Sequence, residues 1–435
     1  MPSPGPPPPA REDTLVRAIG TLGLAASIVN ITVGGGIFRL PASVAGALGA
    51  AAPLAYLVCA AAMGLIVLCI ADAGRRVSLT GGPYAYVGVA LGPYAAFLSG
   101  LMLWMIGLFA MAAVSTVFAA SVGGLVPSLG GPTSQAVVLI ITYAFWGLVN
   151  VRGVALGTRL NVVATVAKLL PLLLVIVGGW MAVKAEHLVV PAWPSASDVA
   201  RTSLLLVFAF AGVETALVPS GEVRSVARTV PRAIAIAMMG ITLLYLALQG
   251  AAQGVLGPAL PGSATPLADT AELAMGGWAR TLLLAGAAVS MFGYLGGMTL
   301  SVPRVVFAMA ADGMLPTRLA AVHRTFHTPH VAIVAHAVLT LALALSGSFE
   351  RLAILANTSA LALYLGCAVA AWRLRTRGVG DSRHSARLPF AAAAPFLAVP
   401  VILWLLTGLT RTEWTAFAAA VSIGTMAYVV TQRRA

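Results

Sequence analysis

Long apolar stretches, separated by short polar or Pro/Gly-rich joints, run almost the whole length of the chain. From Val77 to Val151 there is no Asp, Glu, Lys or Arg in 75 residues. A hydrocarbon layer about 30 Å thick is crossed by about 20 apolar helical residues. Marking the runs between charge and Pro/Gly clusters predicts about twelve spanning helices. They are expected at 18–46, 51–73, 92–122, 134–150, 159–182, 200–220, 232–256, 279–308, 330–346, 350–372, 390–408 and 414–431. The expected fold class is therefore an all-α polytopic membrane protein.

Two of these spans are interrupted. The first carries Thr32-Val33-Gly34-Gly35-Gly36-Ile37-Phe38 and the sixth Phe208-Ala209-Phe210-Ala211-Gly212-Val213-Glu214. As one straight helix the first would reach roughly 40 Å, longer than the hydrocarbon layer. Each mid-helix glycine costs about 1 kcal/mol relative to alanine. Interrupted spans in corresponding positions are the strongest sequence pointer to a carrier's substrate site, and they predict a 5+5 inverted repeat. The expected organisation is a Pro-rich disordered tail at 1–16, repeats at 17–182 and 183–372, and helices 11 and 12 in 373–435.

Chain direction turns the breaks into chemistry. The first half of helix 1 ends near Ile31 to Val33 with unpaired carbonyls, and its second half opens with free N–H groups at Gly35, Gly36 and Ile37. Helix 6 adds carbonyls near Phe208 to Ala211. Carbonyls with the negative dipole end suit an ammonium group, and the N–H groups suit a carboxylate. Donors and acceptors a few ångströms apart match the backbone of an α-amino acid. Close helix packing is the competing explanation of such glycines, and it suffices for Gly293, Gly296 and Gly297.

Four motifs make the sequence resemble the amino acid–polyamine–organocation superfamily over about residues 15 to 372. They are T-V-G-G-G-I-F-x-x-P at Thr32, F-A-F-A-G-V-E at Phe208, G-E…R-x-x-P-R-A-I from Gly221 to Ile234, and R-V-V-F-A-M-A-A-D-G-M-L-P from Arg304 to Pro316. The resemblance implies the leucine-transporter fold, secondary transport and an amino acid substrate. By motif, the substrate site falls on Thr32, Gly34, Gly35 and Gly36 of helix 1 and on Phe208, Ala209, Ala211 and Gly212 of helix 6. Phe208 matches an aromatic that closes over the substrate, and Met298 a pocket-lining position. Trp104 and Leu108 are the further expected neighbours. The family's usual serine is replaced by Gly35, its Asn-Pro pair by Ser225-Val226, and Pro303 is expected to interrupt helix 8.

Two ionisable residues fall near mid-membrane, where they are costly and usually functional. Lys168 lies about nine residues into helix 5, and in the resembled family a lysine there stands where sodium-coupled relatives bind a cation. It would serve either as a proton carrier or as a fixed charge bracing helices 1, 5 and 8. Glu214 is either a proton-linked gate or a cap on the inner half-helix. With no spare carboxylate in the expected pocket, a cationic side chain would lose several kcal/mol, so neutral amino acids come first. A polyamine or cationic amino acid carrier is the alternative within transport.

Composition removes other classes. The chain is 60% hydrophobic and 9% charged, where a soluble protein carries about 25% charged residues. Its formal charge of +13 comes from arginines in short joints, so it marks orientation and not nucleic acid. Nineteen of the 26 Lys and Arg residues fall on the side of the N-terminus and five on the other. That asymmetry predicts both termini in the cytoplasm of a cell membrane. Cys59, Cys69 and Cys367 have no metal or disulfide spacing, and His323, His327 and His330 form a loop cluster. No cofactor, metal or enzymatic centre is expected; neither channel repeats nor a nucleophile–base pair is present. The expected partners are an amino acid, possible coupling protons and the bilayer.

Overall fold

In a computed structural model of the chain, the described residues are 20–77, 83–152, 158–212, 226–379 and 391–433. The Pro-rich tail and Glu214 lie outside them. Among the described residues there is helix and no strand.

The first span is divided into α1 (Thr21–Thr32), a 3₁₀ turn (Gly35–Phe38) and α2 (Leu40–Leu48). Then come α3 (Ala52–Arg76), α4 (Pro83–Leu91), α5 (Pro93–Leu125), α6 (Pro132–Val151), α7 (Thr158–Met181) and α8 (Ala196–Phe210). The second half of the chain supplies α9 (Val226–Leu256), α10 (Pro266–Met275), α11 (Gly277–Ala311), α12 (His330–Ser346), α13 (Phe349–Thr376), α14 (Ala394–Leu406) and α15 (Arg411–Gln432). Seven helical stretches are long and apolar enough to cross a membrane by themselves. With the shorter apolar helices, and with α8 in the place of the sixth span, they follow the expected order of spans.

Local chemistry sets the ends. α4, α5, α6 and α10 start on proline, whose missing N–H is no loss in a first turn. Side chains of Ser195, Ser348 and Thr410 cap α8, α13 and α15, and Thr410 with Glu413 completes a capping box. The short helices α4 and α10 lie outside the expected spans. The expectation for helix 8 needs correcting: α11 continues through Pro303 to Ala311. Proline is tolerated in membrane helices where neighbours compensate the lost backbone bond.

α5 runs through the centre, packed on α11 and α13. Small residues let α5 and α11 approach closely, since a Cβ on Gly100 would meet Met309, on Gly107 Val302, and on Gly124 Leu284. One number rises as the other falls, so the two helices are antiparallel. α1 lies along α9, and α3 contacts α8, α9 and α13. The two broken spans are thereby held in one neighbourhood.

Candidate substrate site

Both breaks are backbone events. α1 ends at Thr32, Val33 turns away with ψ 86°, and Gly34 is extended with φ −109° and ψ −161°. α8 ends at Phe210, Ala211 is extended with ψ 149°, and Gly212 takes φ +108°, a conformation that glycine alone adopts readily. The last carbonyls of each helix are left without helical donors. The breaks touch: a Cβ on Gly212 would fall 3.1 Å from Ile31 Cγ2 and 3.5 Å from the Ile31 carbonyl oxygen.

The three glycines of the first span face different surroundings. A Cβ at Gly35 would meet Val114 at 3.0 Å and Met291 at 3.6 Å. At Gly36 it would strike the Phe208 ring at 2.7 Å. At Gly34 it would meet only the Thr32 carbonyl, at 3.8 Å. Gly35 and Gly36 are buried, whereas Gly34, Ala211 and Gly212 are partly open. The accessible backbone of the break is therefore at Gly34, Ala211 and Gly212. Thr32 is buried, and among the described residues its hydroxyl has no hydrogen-bond partner.

The structure thus brings Thr32, Gly34, Gly35, Gly36, Phe208, Ala209, Ala211 and Gly212 together. Trp104, Leu108 and Met298 stand apart from the contacts at Gly35. Val114 lies ten residues beyond Trp104, about 15 Å along α5, and Met291 lies seven residues before Met298, about 10 Å along α11. Lys168 belongs to α7, three residues before Pro171, but its side chain is outside the described residues, as is all of Glu214.

Four features were missed by sequence reasoning. The hydroxyl of Tyr245, on α9, donates to the Ala209 carbonyl at 2.8 Å, with the Thr32 carbonyl at 3.4 Å. One turn on, Gln249 accepts from Tyr56 at 3.1 Å and reaches the Pro41 carbonyl at 3.5 Å. Beyond Gly36, the Phe208 ring meets Phe349 edge-on at 5.5 Å. Next to it, Arg39 pairs with Glu350 at 3.3 Å and donates to the Ser263 carbonyl at 2.8 Å; Ser43 donates to Glu350 at 3.0 Å. These groups wall a cavity of about 370 Å³ that also includes Asp198, Arg201 and Thr202. The ion pair thus lines this cavity, and Phe349, the ring partner of Phe208, adjoins Glu350 in the chain.

On the opposite face, Asp72 is buried and accepts from Arg76 at 3.3 Å and Arg375 at 3.2 Å, joining α3 to α13. In the histidine loop, His323 Nδ1 accepts from the N–H groups of Thr325 and Phe326. No metal-binding group of three His, Cys, Asp or Glu residues occurs among the described residues.

The sequence profile of the family described as amino acid permease matches residues 19–429. The chain is 25% identical to a methylthioribose transporter of Bacillus subtilis, over 98% of this chain and 95% of that one. It is 28% identical to a serine/threonine exchanger of the same organism, over 95% of both. It is 30% identical to an L-lysine transport protein of Corynebacterium glutamicum, over 71% of this chain and 64% of that one. These relatives are transporters and not enzymes, and the multi-pass helices agree with that: the chain belongs to the amino acid permease family.

Proposed function

We propose that the chain is a sodium-independent secondary carrier of neutral amino acids, a proton symporter or an exchanger working by alternating access. One observation carries the reading: the two half-helix ends meet, with Gly212 against Ile31 at the end of α1 and the Phe208 ring of α8 against Gly36 in the turn that follows. That array offers acceptors to an ammonium group and donors to a carboxylate. The substrate-binding set is Thr32, Gly34, Gly35, Gly36, Phe208, Ala209, Ala211 and Gly212, with Val114 and Met291 as apolar neighbours.

Neutral substrates are favoured because the described side chains that meet the break include Ile31, Val114, Phe208 and Met291, all apolar. The carboxylate nearest in sequence to that aromatic layer, Glu350, is already engaged by Arg39 and Ser43. A substrate cation left unpaired there would cost several kcal/mol. The serine/threonine exchanger among the relatives agrees with this preference; the L-lysine and methylthioribose transporters name the outcomes to test against. Phe208 with Phe349, and Arg39 with Glu350, form the closure on the α2 side. Both termini are assigned to the cytoplasm on the arginine asymmetry. Lys168 is assigned the cation's place, which removes any need for sodium.

Uptake into proteoliposomes tests all of this. Labelled L-serine, L-threonine, L-leucine, L-lysine, putrescine and methylthioribose are supplied under an imposed proton gradient, a sodium gradient or neither. A neutral amino acid should lead, without sodium, and Lys168→Ala should lose transport far more than expression. Leadership by L-lysine or putrescine overturns the neutral assignment, leadership by methylthioribose overturns the zwitterion site, and strict sodium dependence overturns the role of Lys168. Sodium-free exchange indifferent to pH leaves Lys168 as a brace and removes the proton.

A further inference from the structure

In the expected organisation α14 and α15 lie outside both repeats, and they supply no residue to the substrate-binding set. Yet α15 joins the central helix to a broken span. Along its second half Gly424 seats Leu101 of α5, Thr425 shares a hydrogen bond with Tyr94 at 3.0 Å, and the Tyr428 ring lies 4.6 Å from Phe97. At its first turn it meets α8. Arg201 donates through two guanidinium nitrogens to the two oxygens of Glu413, each at 3.1 Å, and to the Gly408 carbonyl at 2.7 Å. The carboxylate is itself held, because it accepts from the Thr410 N–H at 2.7 Å in the capping box that opens α15. Such two-pronged pairs fix orientation as well as charge. The main chains also touch: a Cβ on Gly408 would fall 2.8 Å from Arg201 Cα, so a glycine permits the approach.

Arg201 has a second neighbour. It lines the cavity of about 370 Å³, whose walls come from α2, the opening turns of α8 and α13. Further along α8, the Asn357 amide of α13 donates to the carbonyls of Leu204 and Leu205 at 2.8 and 3.0 Å. The later part of α8 is thus tied to α13, and its opening turns to the joint between α14 and α15. Collapse of the cavity would bury exposed apolar lining at Ala47 and Pro261, which is favourable. Keeping the space therefore needs a tether.

We propose that Arg201 is a positioning residue: with Glu413 and Gly408 it forms a clasp by which α15 holds the opening turns of α8 off α2, keeping this cavity open. The last two helices thereby set the balance between open and closed forms. The inference rests on the alternating-access reading above, and a measurement without substrate tests it apart from that reading.

The test is the labelling rate of Ala47→Cys by a charged, water-soluble maleimide, on purified protein in lipid nanodiscs. The native Cys59, Cys69 and Cys367 are buried. Glu413→Gln keeps the capping box and loses the ion pair, and Arg201→Met removes the clasp outright. Each should slow labelling by about 2- to 5-fold, the range of an exposed ion pair. The double variant should match Arg201→Met alone. Ser128→Cys, in the joint between α5 and α6, should label equally in all backgrounds; a clasp that only helped α15 to fold would leave Ala47→Cys equally unmoved. Unchanged or faster labelling of Ala47→Cys, additive losses, or the same slowing at Ser128→Cys overturns the proposal.

Gly46→Cys, whose Cβ would make ordinary contact with Pro261 at 3.6 Å, is the second reporter. No labelling at either position with the clasp intact overturns the proposal, since no open cavity is then held. If neither charge variant is monodisperse, Arg201→Lys serves, with a smaller fall expected and an unchanged rate overturning the clasp. Slowed labelling without uptake of any substrate in the panel above would keep the clasp and remove the substrate reading. Unchanged labelling beside normal uptake would remove the clasp alone.

Discussion

Replacing Gly34 with alanine separates a ligand contact from a packing contact. A Cβ there meets only the Thr32 carbonyl, at 3.8 Å, and the backbone at φ −109° and ψ −161° suits any residue. Gly34→Ala should therefore leave stability unchanged or raise it by about 0.4–1 kcal/mol, through loss of chain freedom in the unfolded state. If the substrate lies on the open backbone at Gly34, the added methyl intrudes on it. An overpacked contact costs about 1–3 kcal/mol, or a loss of roughly 5- to 150-fold in affinity. Gly36→Ala is the contrasting case. Its Cβ would sit 2.7 Å from Phe208 Cδ1 and 3.3 Å from Leu40 Cδ1, so the aromatic ring must leave its place against Phe349. That variant should lose thermal stability as well as binding. The pair is read by thermal unfolding of purified protein and by scintillation-proximity binding of the amino acid found in the uptake panel. Affinity of Gly34→Ala within twofold of wild type, at unchanged melting temperature, would refute the placement of substrate over Gly34.

The pair Arg39–Glu350 should show coupling of about 0.5–1 kcal/mol in a double-mutant cycle of thermal stability, discounted because both side chains are about a third exposed. Strict additivity of Arg39→Ala and Glu350→Ala would mean that the pair does not tie α2 to α13. Asp72→Asn should be severe, near 3–5 kcal/mol, because it removes the buried carboxylate to which both Arg76 and Arg375 donate. Its measure is the melting temperature and monodisperse yield in detergent, and a wild-type melting temperature would show that the cluster does not brace α3 on α13.

Helical spans and both breaks were legible because they are local properties. An apolar run of sufficient length is a span wherever it packs, and three glycines or a glycine after Ala211 weaken a helix whatever surrounds them. Side-chain partners were not legible in the same way. The expected neighbours Trp104, Leu108 and Met298 sit one or more helical turns from Val114 and Met291, since sequence does not fix how deep α5 and α11 lie beside α1. Arg39 lies in the first span, and its partner Glu350 is 311 positions away. Asn357, a polar residue in an apolar run, donates its amide to the carbonyls of Leu204 and Leu205 in α8, 153 and 152 positions earlier. Tyr245 and Gln249 did leave a trace, as polar groups four apart in an apolar run and hence on one helix face. Polar groups spaced so inside a span call for a partner on a neighbouring helix.

Pro303 and Gly34 together show what decides whether a membrane helix breaks. Proline is the stronger local breaker, near 3 kcal/mol, against about 1 kcal/mol for a glycine. Nevertheless α11 passes through Pro303 unbroken, while the first span opens at the glycines. The difference lies in the surroundings. Beside Pro303, both methyls of Val302 seat against Gly107 of α5, so packing holds α11 in place across the proline. At the glycines no side chain exists to seat the helix. The neighbours hold its two halves separately instead: Phe208 covers Gly36, Val114 covers Gly35, and the Tyr245 hydroxyl, which donates to Ala209 of α8, lies 3.4 Å from the Thr32 carbonyl. An opened helix in an apolar layer persists only where donors meet its freed carbonyls. The glycines that permit the break and the tyrosine that satisfies it are thus two parts of one device, and only the first part can be read without the fold.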